Sequence, residues 1–147
     1  MLVRLLYASR AAEAISAGAI DAILARSREF NPAHGITGVL CYSGDLFIQV
    51  LEGGRAEVNR LYCDIVRDAR HREVTLIHYC EIDERRFAHW TMGRVNLAKV
   101  NPSLLLKYSE RASLDPQQLT ARVSHALLEE LISTAAIIGR GDDDATA

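Results

Sequence analysis

Three places in the sequence put chemically capable side chains where packing alone does not ask for them. Gln49 interrupts the apolar run LFIQVLE at residues 46–52. A buried amide without partners costs about 1–3 kcal/mol, so Gln49 must meet either a backbone group or a ligand. Tyr7 stands inside the apolar run LVRLLYA at residues 2–8, where its hydroxyl also needs a partner. Asp68, Arg70 and His71 close a helical stretch. A basic pair there either complements the negative end of the helix dipole or grips a phosphate through the planar fork of the guanidinium. Each feature also has an ordinary reading: a backbone-paired amide, a core tyrosine with its hydroxyl bonded, a helix cap. Spacing alone leaves both sets open.

Other chemistries find no support. The sequence holds no nucleophile elbow, metalloprotease helix, phosphate loop or dinucleotide fingerprint. Its five histidines, at 34, 71, 78, 89 and 125, include no i, i+4 pair. Cys41, Cys63 and Cys80 are odd in number, far apart and without a C-x-x-C spacing, so they read as small buried hydrophobes in a reducing cytoplasm. A formal net charge of −2 supplies no basic field for nucleic acid or an anionic membrane. The N-terminal apolar run is broken by Arg4, and no stretch reaches 18 uninterrupted apolar residues. The expectation is a cytoplasmic protein with neither membrane nor nucleic-acid partner.

The elements that must position these residues follow from periodicity. Residues 2–8 read as a buried strand. A helix over 16–29 carries Ala19, Ile20, Ile23, Leu24 and Ser27 on one face, and Pro32 should stop it at Asn31. Strands over 36–43 and 46–52 flank the hairpin signal Ser43-Gly44-Asp45. In the second strand Leu46, Ile48 and Val50 face one way, and Phe47, Gln49 and Leu51 the other. A helix over 56–69 bears the stripe Val58, Leu61, Tyr62, Ile65 and Val66. Strands over 74–82 and 91–97 complete a β-α-β-β-α-β-β order. That order predicts an α+β, ferredoxin-like sandwich, a five-stranded mixed sheet with both helices on one face. Beyond it, a short helix over 103–110 and a longer one over 116–138, N-capped by Asp115, are expected to pack on the other face. The polar stretch 139–147 is expected to be disordered.

The residues singled out first also carry a resemblance. The sequence resembles the BLUF family, blue-light sensors that use FAD, over about Leu2 to Val95. The matching pieces are Leu6-Tyr7-Ala8-Ser9-Arg10, Ser27-Arg28 with Asn31, Gly35-Ile36-Thr37-Gly38-Val39-Leu40, Phe47-Ile48-Gln49-Val50-Leu51-Glu52-Gly53, Asp68-Ala69-Arg70-His71 and Trp90-Thr91-Met92-Gly93. Each piece is weak alone; their order and spacing together are specific.

The resemblance implies FAD as cofactor, Tyr7 as the redox-active phenol and Gln49 as the switching amide. It implies Asn31 on the isoalloxazine edge, with Ile23 and Ile65 sandwiching the ring. Ser27, Arg28, Phe47, Asp68, Arg70 and His71 fall where the family contacts the flavin or its phosphate arm. Trp90 and Met92 are implied to lie on the strand that relays the signal. Two positions depart from common family patterns: Phe30, where many members carry Asn or His, and Asp64, where some carry Arg.

The functional expectation is a blue-light photoreceptor without enzymatic activity. A photosensory domain at 1–97 and a helical extension at 98–138 would signal to a separate effector protein, with self-association. The alternatives are a flavin-dependent oxidoreductase and a cofactor-free dimerisation module.

Overall fold

The computed structural model describes residues 1–134 and 136–139. The elements run β1 (Leu2–Ala11), α1 (Ala17–His34), β2 (Thr37–Ser43), β3 (Leu46–Gly54), α2 (Arg55–Arg67), β4 (His71–Ile82) and β5 (Gly93–Asn96). A 3-10 turn (Leu97–Lys99), α3 (Pro102–Leu106) and α4 (Ala121–Ser133) follow. The sheet order is β4-β1-β3-β2-β5, with β5 parallel to β2 and every other pairing antiparallel. This is the expected α+β sandwich with a mixed five-stranded sheet.

The alternation expected in β3 divides the interior into two cores. Phe47 and Leu51 join Val3, Leu5, Ile20, Leu24 and Val58 beneath α1 and α2. Leu46, Ile48 and Val50 join Leu105 of α3 and Leu127, Leu128 and Leu131 of α4 on the opposite face. A sheet apolar on both faces must be covered on both, and the C-terminal helices cover the second. Cys41 lies in that second core, where burial pushes its thiol up to about 12. Cys63 and Cys80 are only half-buried, because α2 and the edge strand β4 leave one side to solvent.

Several boundaries differ from expectation. α1 does not stop before Pro32 but runs on to His34, with Pro32 inside its last turn. The missing N–H of proline costs one intrahelical bond, and a glycine cap closes the end. Gly35 takes φ 66°, and the Gly35 and Ile36 amides donate back to Pro32 and Asn31. β5 begins at Gly93, so Trp90 and Met92 precede the strand instead of lying on it. Asp115 does not cap α4: its carboxylate accepts from the Gln117 amide in a local turn, and Thr120 caps the helix by accepting from Val123. α4 ends at Ser133, well short of Ile138. The expectation of disorder at 139–147 falls, from residue 140 onward, outside the described residues.

Leu131 is 0% exposed in the second core. Replacing Leu131 with Ala is expected to destabilise the protein by about 2–5 kcal/mol in urea unfolding. A loss under about 1 kcal/mol would contradict the packing of α4 on the sheet.

Candidate functional site

β1 and β3 pair in a register that sets Tyr7 directly opposite Gln49, on the α1–α2 face. Opposed residues of an antiparallel pair share a face with their Cβ atoms close, so the two side chains must meet. The Tyr7 hydroxyl donates to Gln49 Oε1 at 2.5 Å, and Gln49 Nε2 donates to Met92 Sδ at 3.3 Å. A thioether only accepts, so the amide end facing Met92 is its NH₂ and the end facing the phenol its oxygen. A register shift between Leu6 and Tyr7 on the β1–β4 side places an irregularity beside this pair, as bulges often do next to functional sites.

Tyr7 is 1% exposed, with the Tyr62 ring of α2 tilted against it at 5.7 Å. Burial, with Tyr62 and Asp68 adding to it, raises the phenol far above its usual 10, so it stays protonated.

Above the pair lies an open-mouthed cavity of about 180 Å³ between α1, α2 and the sheet. Its floor is Tyr7, Leu40, Phe47, Gln49 and Met92. Ile23, Ser27 and Asn31 line it from α1, and Ile65 from α2, with Asp68, Arg70 and His71 at the following turn. Eleven of the expected residues therefore meet in one cavity. Asn31 Nδ2 also donates to the Thr91 carbonyl at 2.9 Å, tying α1 to the segment before β5.

Two expected residues lie elsewhere. Arg28 lies on α1 but does not line the cavity, and its guanidinium sits beside Gly139. Trp90 is buried in the second core against Phe87, with ring centroids 6.3 Å apart, on the far side of the sheet from Met92.

The Asp68–His71 trio forms a turn and the start of β4 instead of a helix end. The Asp68 carboxylate accepts from the Arg70 amide at 2.9 Å and its guanidinium at 2.6 Å, and is held at about 2 by that partner. The Arg70 fork is thus already engaged. His71 Nδ1 pairs with the buried Ser9 hydroxyl at 2.8 Å, and burial lowers its pKa.

Sequence reasoning missed Ala22, Arg26, Leu40 and Leu61 as lining residues. Ala22, Arg26 and Phe30 recur every four residues beside Ile23, Ser27 and Asn31, and that periodicity could have shown them. Leu40 is the β2 partner of Gln49 and needed the register. The two departures, Phe30 and Asp64, both line the cavity. Phe30 stacks on His34 at 3.9 Å, and Asp64 pairs with Arg67 at 3.7 Å. On α2, Leu61 and Ile65 are half-buried although apolar: they pack at the edge of the core and also wall the cavity.

The residues present suit a planar aromatic ligand with polar edges. Apolar side chains from two helices face each other across the cavity, and an amide donor stands on its floor. An amide nitrogen carries two hydrogens, and Gln49 gives one to Met92, leaving the other for an acceptor. Among the described residues, no group of three His, Cys, Asp or Glu could hold a metal, and no helix is long and apolar enough to cross a membrane.

An α+β sandwich with a phenol–amide pair on the floor of such a cavity defines a ligand-binding class of domain. The profile described as "BLUF: Sensors of blue-light using FAD" matches residues 2–93, and the chain belongs to that family. BLUF domains bind FAD and sense blue light. The chain is similar to the photoactivated adenylate cyclase subunit beta of Euglena longa, 37% identical over 92 residues, which is 62% of this chain and 11% of the relative. It thus spans about a tenth of the length of the curated relatives it matches. Among solved structures it resembles BlsA in its photo-activated state (34% identity, 89% of this chain and 94% of that one, TM-score 0.78). It also resembles BlrB, a BLUF protein in its dark state (31%, 91% and 96%, TM-score 0.76).

The lowered pKa of His71 has a definite sign in stability. The unfolded chain, with histidine near the usual 6.5, binds the proton more readily than the folded one. Stability should therefore fall as pH drops below about 6.5. The depressed Asp68 adds its own loss only lower, between the ordinary 3.8 and about 2. Replacing His71 with Gln should flatten the decline between about pH 7 and pH 5, with the remainder left to His125, whose pKa burial also lowers. An unchanged slope in denaturation at stepped pH would contradict the burial of a neutral His71.

Proposed function

We propose that Tyr7 and Gln49 form the photochemical switch of a blue-light photoreceptor, and that Met92 receives the result. The observation that carries this reading is the unbroken chain from Tyr7 hydroxyl to Gln49 to Met92 Sδ. The flavin, when bound, supplies the absorption of blue light and accepts an electron from the site. Ile23 and Ile65 would hold the ring, Asn31 and Gln49 would meet its polar edge, and Ser27, Asp68, Arg70 and His71 would hold its arm. Phe47 closes the floor.

Were Tyr7 to give up an electron, its phenol would become a strong acid, and its proton would pass along the existing bond to Gln49 Oε1, which would hold it until the electron returns. Return of the electron and proton restores Tyr7 but leaves the amide free to settle reversed. Half a turn of the amide puts its NH₂ against the phenol oxygen, which can accept, and its oxygen against Met92 Sδ, which cannot donate. Reversal thus keeps one bond and breaks the other. In a buried site such an exchange is energetically significant.

We infer sensing and not substrate turnover because the polar floor is committed internally. Tyr7 is bonded to Gln49, Gln49 to Met92, His71 to Ser9 and Asp68 to Arg70. The signal leaves through the segment carrying Trp90 and Met92. Its Arg86 forks onto Glu129 of α4 at 2.7 and 2.8 Å, which makes α4 the element that presents the change. The unit at 1–97 is the sensor and 98–138 its extension, and the receiver is a separate effector protein in the cytoplasm, engaged by a self-associated sensor. An adenylate cyclase in the names of relatives supports an effector as the end point.

The test is the absorption spectrum of the FAD-loaded protein. Blue light is expected to red-shift the flavin bands by a small amount, reversibly in the dark. Replacing Tyr7 with Phe, or Gln49 with Leu, is expected to abolish that shift. A full response in either variant would overturn the assigned roles.

A further inference from the structure

Three residues beyond Gln49 on the same strand, and on the opposite face of the sheet, β3 carries Glu52. It is the only acidic residue that is fully buried among the described residues. A strand position facing an apolar core needs no carboxylate, and a buried charge is costly unless paired and fully bonded. Glu52 is both. Its Oε2 takes Arg4 Nη2 at 2.7 Å, Arg4 Nε at 2.8 Å and the Arg86 amide at 3.1 Å. Its Oε1 takes the Phe87 amide at 2.6 Å. Two consecutive backbone amides held by the two oxygens of one carboxylate fix both the position and the direction of the chain there.

From that anchor the chain is tied at nearly every step to Met92. The Trp90 amide donates to the Phe87 carbonyl at 3.1 Å, and the Gly38 amide donates to the Trp90 carbonyl at 2.9 Å. Gly38 itself lies tight against β3, where a Cβ would sit 2.0 Å from the Val50 carbonyl oxygen. Asn31 then holds the Thr91 carbonyl, and Met92 meets Gln49. The segment 86–92 therefore passes from one face of the sheet to the other as a strap, fixed at one end by Glu52 and ending at Gln49. Both ends bond to side chains of the same strand.

We propose that Glu52 is a positioning residue for the switch: its carboxylate sets the strap so that Met92 Sδ stands against Gln49 Nε2. This rests on the reading of Gln49 as the switching amide. A glutamine in place of Glu52 keeps one acceptor oxygen but turns an NH₂ toward a backbone N–H, so the strap loses one of its two amide bonds and shifts.

The decisive experiment is a two-by-two comparison of dark recovery after blue light in the FAD-loaded full chain: wild type, Glu52→Gln, Met92→Ala and the double variant. Glu52→Gln is expected to change the recovery rate by about fivefold or more, and to change it no further once Met92 is Ala. An unchanged rate, or the same factor in both backgrounds, overturns the proposal whatever happens to thermal stability. Should Glu52→Gln fail to fold because Arg4 is left as a lone charge, the paired Arg4→Gln, Glu52→Gln chain carries the same comparison, with Arg4→Gln as its reference. The Met92 methyl resonance in the dark needs no photochemistry: it is expected to move in the Glu52 variant, and an unmoved signal overturns the positioning role. Absence of any light response in the wild type would instead sink the photoswitch reading, so the two failures are distinguishable.

Discussion

The bond from the Tyr7 hydroxyl to Gln49 Oε1 is set by strand register. Because the two residues are direct cross-strand partners on one face, the phenol and the amide are brought together. A slip of one residue between β1 and β3 would turn one of them to the opposite face and leave two buried polar groups unsatisfied. The apolar alternation of both strands forbids that slip, since it would also move Phe47 and Leu51 out of their core. The hydrophobic pattern therefore protects the polar pair, and the pair depends on nothing more local than the sheet itself.

From that constraint the rest is arranged in layers. β3 lies between β1 and β2 in the sheet, with Gln49 looking into the cavity and Glu52 into the opposite core. The strap 86–92 joins the two sides and ends on Met92. Trp90, two residues earlier, is on the α3–α4 side, so neighbouring strap residues belong to different cores. A small displacement at Met92 is thereby coupled by the backbone to residues packed under α4. Close-packed interiors shift between discrete arrangements instead of yielding continuously, which suits a two-state readout.

Much of this could be read before any coordinates. The element order followed from periodicity, and β3 read as a strand buried on both sides because its apolar run is nearly continuous while its alternate residues must face opposite ways. Gln49 and Tyr7 stood out because an amide and a phenol in apolar strands demand explanations. What escaped was tertiary. Pro32 was expected to end α1 sooner, but only one hydrogen bond is lost in a last turn and the Gly35 cap closes the helix. Thr91 and Met92 read as strand residues, yet Asn31 and Gln49 draw them into the cavity wall, which delays β5 to Gly93. The partner of Glu52 lies more than thirty residues along the chain, in a segment whose charged sequence marks it only as a link. Local pattern carries no trace of such a bond.

The central claim is that the Gln49 amide exchanges its partners when the flavin is excited. The measurement closest to it is the light-minus-dark infrared difference spectrum of the FAD-loaded protein with glutamine labelled by carbon-13 at the side-chain carbonyl. The expected result is a label-sensitive carbonyl band that appears under blue light, decays in the dark and vanishes when Gln49 is replaced by Leu. A difference spectrum without any label-sensitive band, from a protein whose flavin absorption does shift, would contradict it.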